Sequence, residues 1–346
     1  MSDSEENIDL NDSQSEYSDA DYEPSDDSDN EEAVPQPLQE IGDNRTADRV
    51  RSYQDKDNND LFMPPFKPEN VPGLQLPEVR TKKDTMYLTT GAFFKLFFTL
   101  ELVQQLCNFT NEYMEATKHL RPSLAKNWNK LTPDEFYIFI GLLMYFSIVK
   151  LPRLELYWST EELFHGLWAR SFMSKRRYKQ VQSFLKASNH KTETKEDKLT
   201  KVRFLHEYIR RKCMKLWMPH EFISVDERMV ANKGRYSFRQ YIRDKPTKWG
   251  MKLWVLADSI TGYTCNFEVY LGKKEKSQFG LGYDVVMKLC KHLFGMGYKL
   301  FVDNFYTSVR LFRDLLQNGI TACGTIMPRQ TEFPQALKIL KLGIQK

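Results

Sequence analysis

Lysine and arginine are missing from the first forty residues of this 346-residue chain, and no apolar run opens it, so its N-terminus does not read as a secretory signal. Long hydrophobic runs are missing too. The longest, Phe136 to Val149, has 14 residues, short of the ~20 that a membrane-crossing helix needs. It reads as a buried helix. Cysteine is scarce: Cys107, Cys213, Cys265, Cys290 and Cys323 are scattered, odd in number and without a CxxC pair. That excludes a disulfide framework and argues against a Cys-rich zinc site. Each cysteine is expected in the core as a small residue, in a reducing compartment, cytosol or nucleus. The histidines show no metal-ligand spacing, and there is no Gly-rich phosphate loop, no GxSxG elbow and no internal repeat.

What is present is unevenly spread. Aromatics reach 13% (Phe 23, Tyr 17, Trp 6), enough for a real core, and the formal net charge is only +4. Residues 1–60 nevertheless carry 20 acidic and 4 basic side chains, net −16, leaving 26 acidic and 46 basic, net +20, for residues 61–346. A basic folded part behind an acidic arm points to a polyanionic partner, most simply nucleic acid. The arm has too few apolar side chains to offset chain entropy and is expected to be disordered. Ser2, Ser13, Ser18 and Ser28 each have an acid three residues on, the pattern of acid-directed kinase substrates.

Four segments follow from the texture. After the arm (1–60), residues 61–87 form a Pro-rich, extended lead-in with Pro64, Pro65, Pro68, Pro72 and Pro77. Residues 88–217 read as helical. Thr132-Pro133-Asp134-Glu135 is a helix start with Glu135 placed to reach back, and Ser174 caps a second helix. Val202, Leu205, Ile209, Cys213 and Leu216 form one apolar face of another. From 218 to 346 the order is strand (Phe222 to Asp226), strand (Trp249 to Ala257), strand (Tyr263 to Leu271), helix, strand (Tyr298 to Asp303), helix, strand (Ile320 to Ile326). An α/β fold follows: one mixed sheet with flanking helices, preceded by a helical region.

Sites in such sheets collect at the carboxyl ends of strands. Asp226 ends the first strand and Asp303 the fourth, 77 residues apart in sequence. If those strands are neighbours, the two carboxylates face each other, and such a pair usually holds a divalent ion. Alone, either Asp would be an ordinary turn residue. Glu227 is expected on the opposite face and outside the metal shell. Between Arg228 and Lys252 lie eight basic residues against one acid, interleaved with Tyr236, Phe238, Tyr241 and Trp249. Basic side chains neutralise phosphates, while aromatics stack on bases or pack beneath. Candidate DNA contacts are Lys233, Arg235, Arg239, Arg243, Lys245 and Lys248, with Lys175, Arg176 and Arg177 at the Ser174-capped helix start.

The motifs Ser224-Val225-Asp226-Glu227-Arg228-Met229, Lys233-Gly234-Arg235, Gln240-Tyr241-Ile242, Lys245-Pro246 and Trp249-Gly250-Met251-Lys252-Leu253-Trp254 occur in that order. Thr261-Gly262-Tyr263, Gly295-Met296-Gly297-Tyr298 and Asp303-Asn304-Phe305-Tyr306-Thr307-Ser308 continue the series. Upstream stand Tyr157-Trp158-Ser159, Met173 to Tyr178, and Lys201-Val202-Arg203. Together, over roughly Pro64 to Pro328, they resemble the piggyBac-type transposase family and the transposable element-derived host proteins related to it.

The resemblance implies a ribonuclease H-like catalytic core using three Asp and magnesium, with Asp226 and Asp303 matching the first two. It implies a nuclear protein that meets double-stranded DNA, with a homodimer as a further expectation and no membrane partner. The family's third catalytic Asp and its Cys-rich zinc-binding domain lie beyond this stretch, which leaves the core partial, its sheet incomplete. The expectation is therefore a DNA-binding protein without transposition activity. Two alternatives stand beside it: a metal-dependent nuclease whose missing acid comes from elsewhere, and a non-enzymatic nuclear interaction module.

Overall fold

The computed structural model describes residues 63–76, 89–161, 163, 169–232, 234, 236–243, 245–272, 277–328, 330 and 333. The acidic arm, its four serines, and Lys233 and Arg235 lie outside the described residues.

The lead-in is extended and contains a two-residue strand, β1 (Gly73–Leu74). Helices follow: α1 (Thr90–Phe97), α2 (Leu100–Thr117), α3 (Pro122–Ala125), α4 (Pro133–Ile148), α5 (Ala169–Phe172), α6 (Lys175–Phe184) and α7 (Arg203–Leu216). Their starts are set by side chains that fill otherwise unpaired N–H groups: Thr89, Thr99, Thr132 and Ser174 accept from Ala92, Leu102, Glu135 and Arg177. Leu102, Val103 and Leu106 of α2, Phe136, Phe139 and Leu142 of α4, and Tyr178 and Val181 of α6 close one apolar core. The long apolar run does form a helix, but it is not buried all round. Leu143, Met144 and Ile148 are exposed, because α4 meets its neighbours along one face only. The capping box at its start is also half made. Glu135 does not reach back; its carboxylate is taken by Arg177.

The second core lies under a six-stranded mixed sheet. Its strands are β3 (Phe222–Ala231), β4 (Gln240–Tyr241), β5 (Trp249–Asp258), β6 (Thr264–Val269), β7 (Lys299–Val302) and β8 (Thr321–Gly324). Helix α8 (Leu281–Cys290) precedes β7, and α9 (Val309–Gln317) connects β7 to β8. β3 pairs antiparallel with β5, and β5 with both β4 and β6; β7 pairs parallel with β3, and β8 parallel with β7. This is the expected mixed sheet with flanking helices. One boundary differs: the first strand does not stop at Asp226. It runs to Ala231 because β5 continues to pair with it, from Ile223↔Asp258 to Ala231↔Gly250.

Two local devices fix the sheet in place. β1 pairs with β2 (Trp217–Met218), the short strand after α7. Phe66 packs edge-on against Tyr298 at 5.1 Å, and Lys67 N–H donates to Met296 O. Gly297, at φ 77°, makes that approach possible, since a Cβ there would sit 2.1 Å from Pro65 O. The other device is Asp258, fully buried at the end of β5. Its carboxylate accepts from Trp217 Nε1–H (2.9 Å), from the His220 backbone N–H (3.2 Å) and from Ile260 N–H (2.9 Å), and lies 2.7 Å from His220 Nδ1. Burial pushes the carboxyl up, but these four partners outweigh it and hold it at about 2. Of the cysteines, Cys107, Cys213, Cys265 and Cys290 are buried as expected. Cys323 is not; it sits exposed on the edge strand β8.

Candidate nucleic-acid interface and metal site

β3 and β7 are neighbours, with Val225 opposite Val302 as their last paired residues. Asp226 and Asp303 are the next residues on each strand, so the parallel register alone brings them side by side. Asp303 begins an Asx turn, accepting from Phe305 N–H at 3.0 Å, while Thr307 Oγ1–H donates to Asp303 O at 2.8 Å and holds the turn from below. Ser308 then caps α9. On the other side, Gly282 of α8 lets the turn pack closely, since a Cβ there would meet Phe305 O at 2.9 Å.

Asp226, Glu227 and Asp303 each offer a carboxylate oxygen, all within 4.8 Å of one another. Glu227 thus belongs to the cluster after all. Strand alternation fixes where its Cβ points, but not where an oxygen three bonds further on comes to rest. Tyr306 OH donates to Glu227 Oε2 at 3.4 Å, and Lys245 Nζ stands 3.9 Å from Glu227 Oε1. The Tyr306 hydroxyl is pushed well above its ordinary range, first by burial and then by Glu227, Asp226 and Asp303. Tyr306 carries no acid-base signature in the sequence and is found only through the fold. Among the described residues no cation lies within 4.0 Å of Asp226 or Asp303, and both are exposed. Hard oxygen donors at this spacing suit magnesium, manganese or calcium, so the residues fit a divalent ion.

The basic segment after β3 divides into two layers. Phe238 is buried and Tyr236 half-buried, packing beneath at 4.7 Å from each other. Tyr241 and Trp249, 4.8 Å apart, are about half exposed, and Arg239 lies over the Trp249 ring at 4.6 Å. Arg239, Arg243 and Lys248 are exposed; Lys245 is half-buried beside the acids. The α6 trio sits on the helical layer and is not uniform. Lys175 is exposed, and Arg176 donates to Lys126 O at 2.9 Å. Arg177 makes a bidentate pair with Glu135 (2.5 and 2.6 Å), donates to Asn129 O and lies over Trp128 at 4.4 Å. Its guanidinium is occupied inside the protein.

Residues 90–346 match the family described as Transposase IS4. The chain is 28% identical over 249 residues to human PiggyBac transposable element-derived protein 3, covering 70% of this chain and 40% of that one. It is 27% identical over 321 residues to human PiggyBac transposable element-derived protein 2, covering 83% and 52%. It thus spans about half, or less, of the length of these relatives. Among solved structures it is similar to a piggyBac transposase in a cryo-EM synaptic complex with hairpin DNA. The TM-score is 0.64 at 28% identity, over 78% of this chain and 56% of that one.

Proposed function

From the premise that the chain belongs to the Transposase IS4 family, of piggyBac type, we propose that residues 61–346 bind double-stranded DNA and present its backbone to a divalent-metal site at Asp226 and Asp303. The observation that carries this is the parallel β3–β7 register, which sets the two carboxylates together beside an exposed basic and aromatic surface. The similar transposase held with hairpin DNA supports the same reading. Arg239, Arg243 and Lys248 meet phosphates, with Lys175 and Arg176 on the helical layer; Lys233 and Arg235 join them as sequence candidates. Tyr241 and Trp249 offer faces for bases. Magnesium, when bound, polarises a phosphodiester and activates water.

The protein's own residues do the rest: Asp226 and Asp303 hold charge at the strand ends, Thr307 and Ser308 fix the turn, and Tyr306 keeps Glu227 in place. Because Glu227 is engaged by Tyr306 and Lys245, Asp226 and Asp303 are the two carboxylates of the cluster with no side-chain partner among the described residues. Two-metal phosphoryl chemistry tolerates so thin a ligand set poorly. Residues 1–346 by themselves therefore bind DNA without completing strand transfer. The nucleus is the matching compartment, homodimerisation the matching assembly, and the acidic arm a kinase substrate.

The test is fluorescence anisotropy with a labelled duplex across a salt series. Affinity is expected to fall steeply with salt, and Arg239→Ala, Arg243→Ala and Lys248→Ala each to flatten the log–log slope by about one. Asp226→Asn and Asp303→Asn should leave DNA affinity and abolish manganese binding read by electron paramagnetic resonance. A salt-independent affinity overturns the proposal. Metal-dependent nicking lost in both Asn variants would replace it with an active nuclease.

A further inference from the structure

Beside the acidic cluster lies a cavity of about 670 Å³, within the range of small-ligand pockets. Its floor is β5 and β6, with Trp254, Glu268 and the following Tyr270; its wall is α8; Leu199 and Arg203, before and at the start of α7, close the far side. Trp254 is the ladder partner of Glu227 on β3. The cavity is therefore one strand away from the carboxylates, and it is not part of their cluster.

Two polar groups in the lining are unexplained. The Trp254 side chain is 7% exposed, yet its indole N–H has no hydrogen-bond partner among the described residues, and neither has the buried Ser277 Oγ. A buried donor left unpaired costs about 1–3 kcal/mol, and folded proteins carry few of them. The charged groups of the lining, in contrast, are largely spent in ion pairs. Glu268 is paired with Lys288 at 2.9 Å and Arg210 at 3.3 Å, and Arg203 with Asp197 at 2.6 Å. Asp284 remains without an ion pair among the described residues.

We propose that this cavity binds a planar, uncharged nitrogen heterocycle of nucleobase type. A ring nitrogen or carbonyl accepts from Trp254 N–H, its flat faces lie against Tyr270 and Leu281, and an exocyclic amino group donates to Asp284. An aliphatic ligand would leave the indole N–H unpaired. A phosphate would meet neutralised cations and the Asp284 carboxylate. The ring can come from an unpaired base of bound DNA or from a free nucleoside, and only the first source depends on the DNA-binding function.

The experiment uses the full chain labelled with ¹⁵N at tryptophan. Six indole signals are expected, one for each tryptophan, and Trp254→Phe identifies the one that matters. Adenosine or cytidine should move that signal and leave the other five. Leu281→Trp, at the 42% exposed rim, should weaken the effect roughly tenfold, and it also serves as the control should Trp254→Phe fail to fold. A response to free nucleoside supports the pocket. So does a response to a hairpin end but not to blunt duplex, which assigns the source to DNA. Silence with both, at millimolar nucleoside, overturns the proposal and leaves the cavity to water. A response undiminished in Leu281→Trp overturns it as well. Loss of duplex binding with the nucleoside response intact would remove the DNA-binding function and leave the pocket standing.

Discussion

Replacing Asp258 by Asn changes one atom pair and removes a charge on which four hydrogen bonds converge. Lowering an Asp from 3.8 to about 2 on folding is worth about 2 kcal/mol of stability at neutral pH. The group is fully buried, so little of this is screened. The amide also turns an NH₂ either towards Trp217 Nε1–H and the His220 N–H, which share Oδ2, or towards the Ile260 N–H at Oδ1, and a donor facing a donor adds about 1–3 kcal/mol. The expected loss is therefore about 3–5 kcal/mol. Urea unfolding followed by tryptophan fluorescence measures it, since Trp217 is itself a partner. The sign of the pH dependence is fixed: the folded value is depressed, so the contribution is full above 3.8 and disappears as pH falls towards 2. The difference between wild type and variant should accordingly narrow by about 2 kcal/mol in acid, leaving the donor-against-donor part. A difference below about 0.5 kcal/mol at neutral pH, the size of an ordinary surface substitution, or one that persists unchanged to pH 2, would refute the reasoning.

Arg177→Ala should cost about 3 kcal/mol in the same assay, because it leaves Glu135 half-buried and unpaired. Lys175→Ala should leave stability unchanged while weakening duplex binding in anisotropy. Gly297→Ala should release the lead-in, since the new Cβ meets Pro65 backbone at 2.1 and 2.5 Å. Limited proteolysis should then cut near residues 63–76, where the parent protein resists.

The sheet was legible because its signals are local and strong. Short strand-forming runs mark Phe222 to Asp226, Trp249 to Ala257 and Tyr263 to Leu271, and two Asp at strand ends mark the site. What the sequence left open depended on partners far along the chain. Arg177 looks like any other basic residue in a row of three until α4 brings Glu135 to it from 42 positions away. Strand alternation places Glu227 on the opposite face and says nothing of how its side chain bends back towards its neighbours. The two-residue pairing of β1 with β2 is too short for any period to show. The exposed face of α4 was hidden by a run apolar on all sides, where no polar face contrasts with the buried one.

The parallel pairing of β3 with β7 also orders events in time. Its neighbour β5 can join β3 soon after synthesis, through a connection of modest length. β7 arrives only after the hairpin and α8 have been made, and a long chain segment must be closed before the pairing returns any gain. At ~5–20 residues per second of translation, Asp226 emerges several seconds before Asp303. During that interval β3 offers an unsatisfied edge, the kind of surface chaperones cover. The two carboxylates meet only when the sheet closes, so metal binding would report late folding, and a metal-sensitive signal would serve as a clock for the last step of assembly.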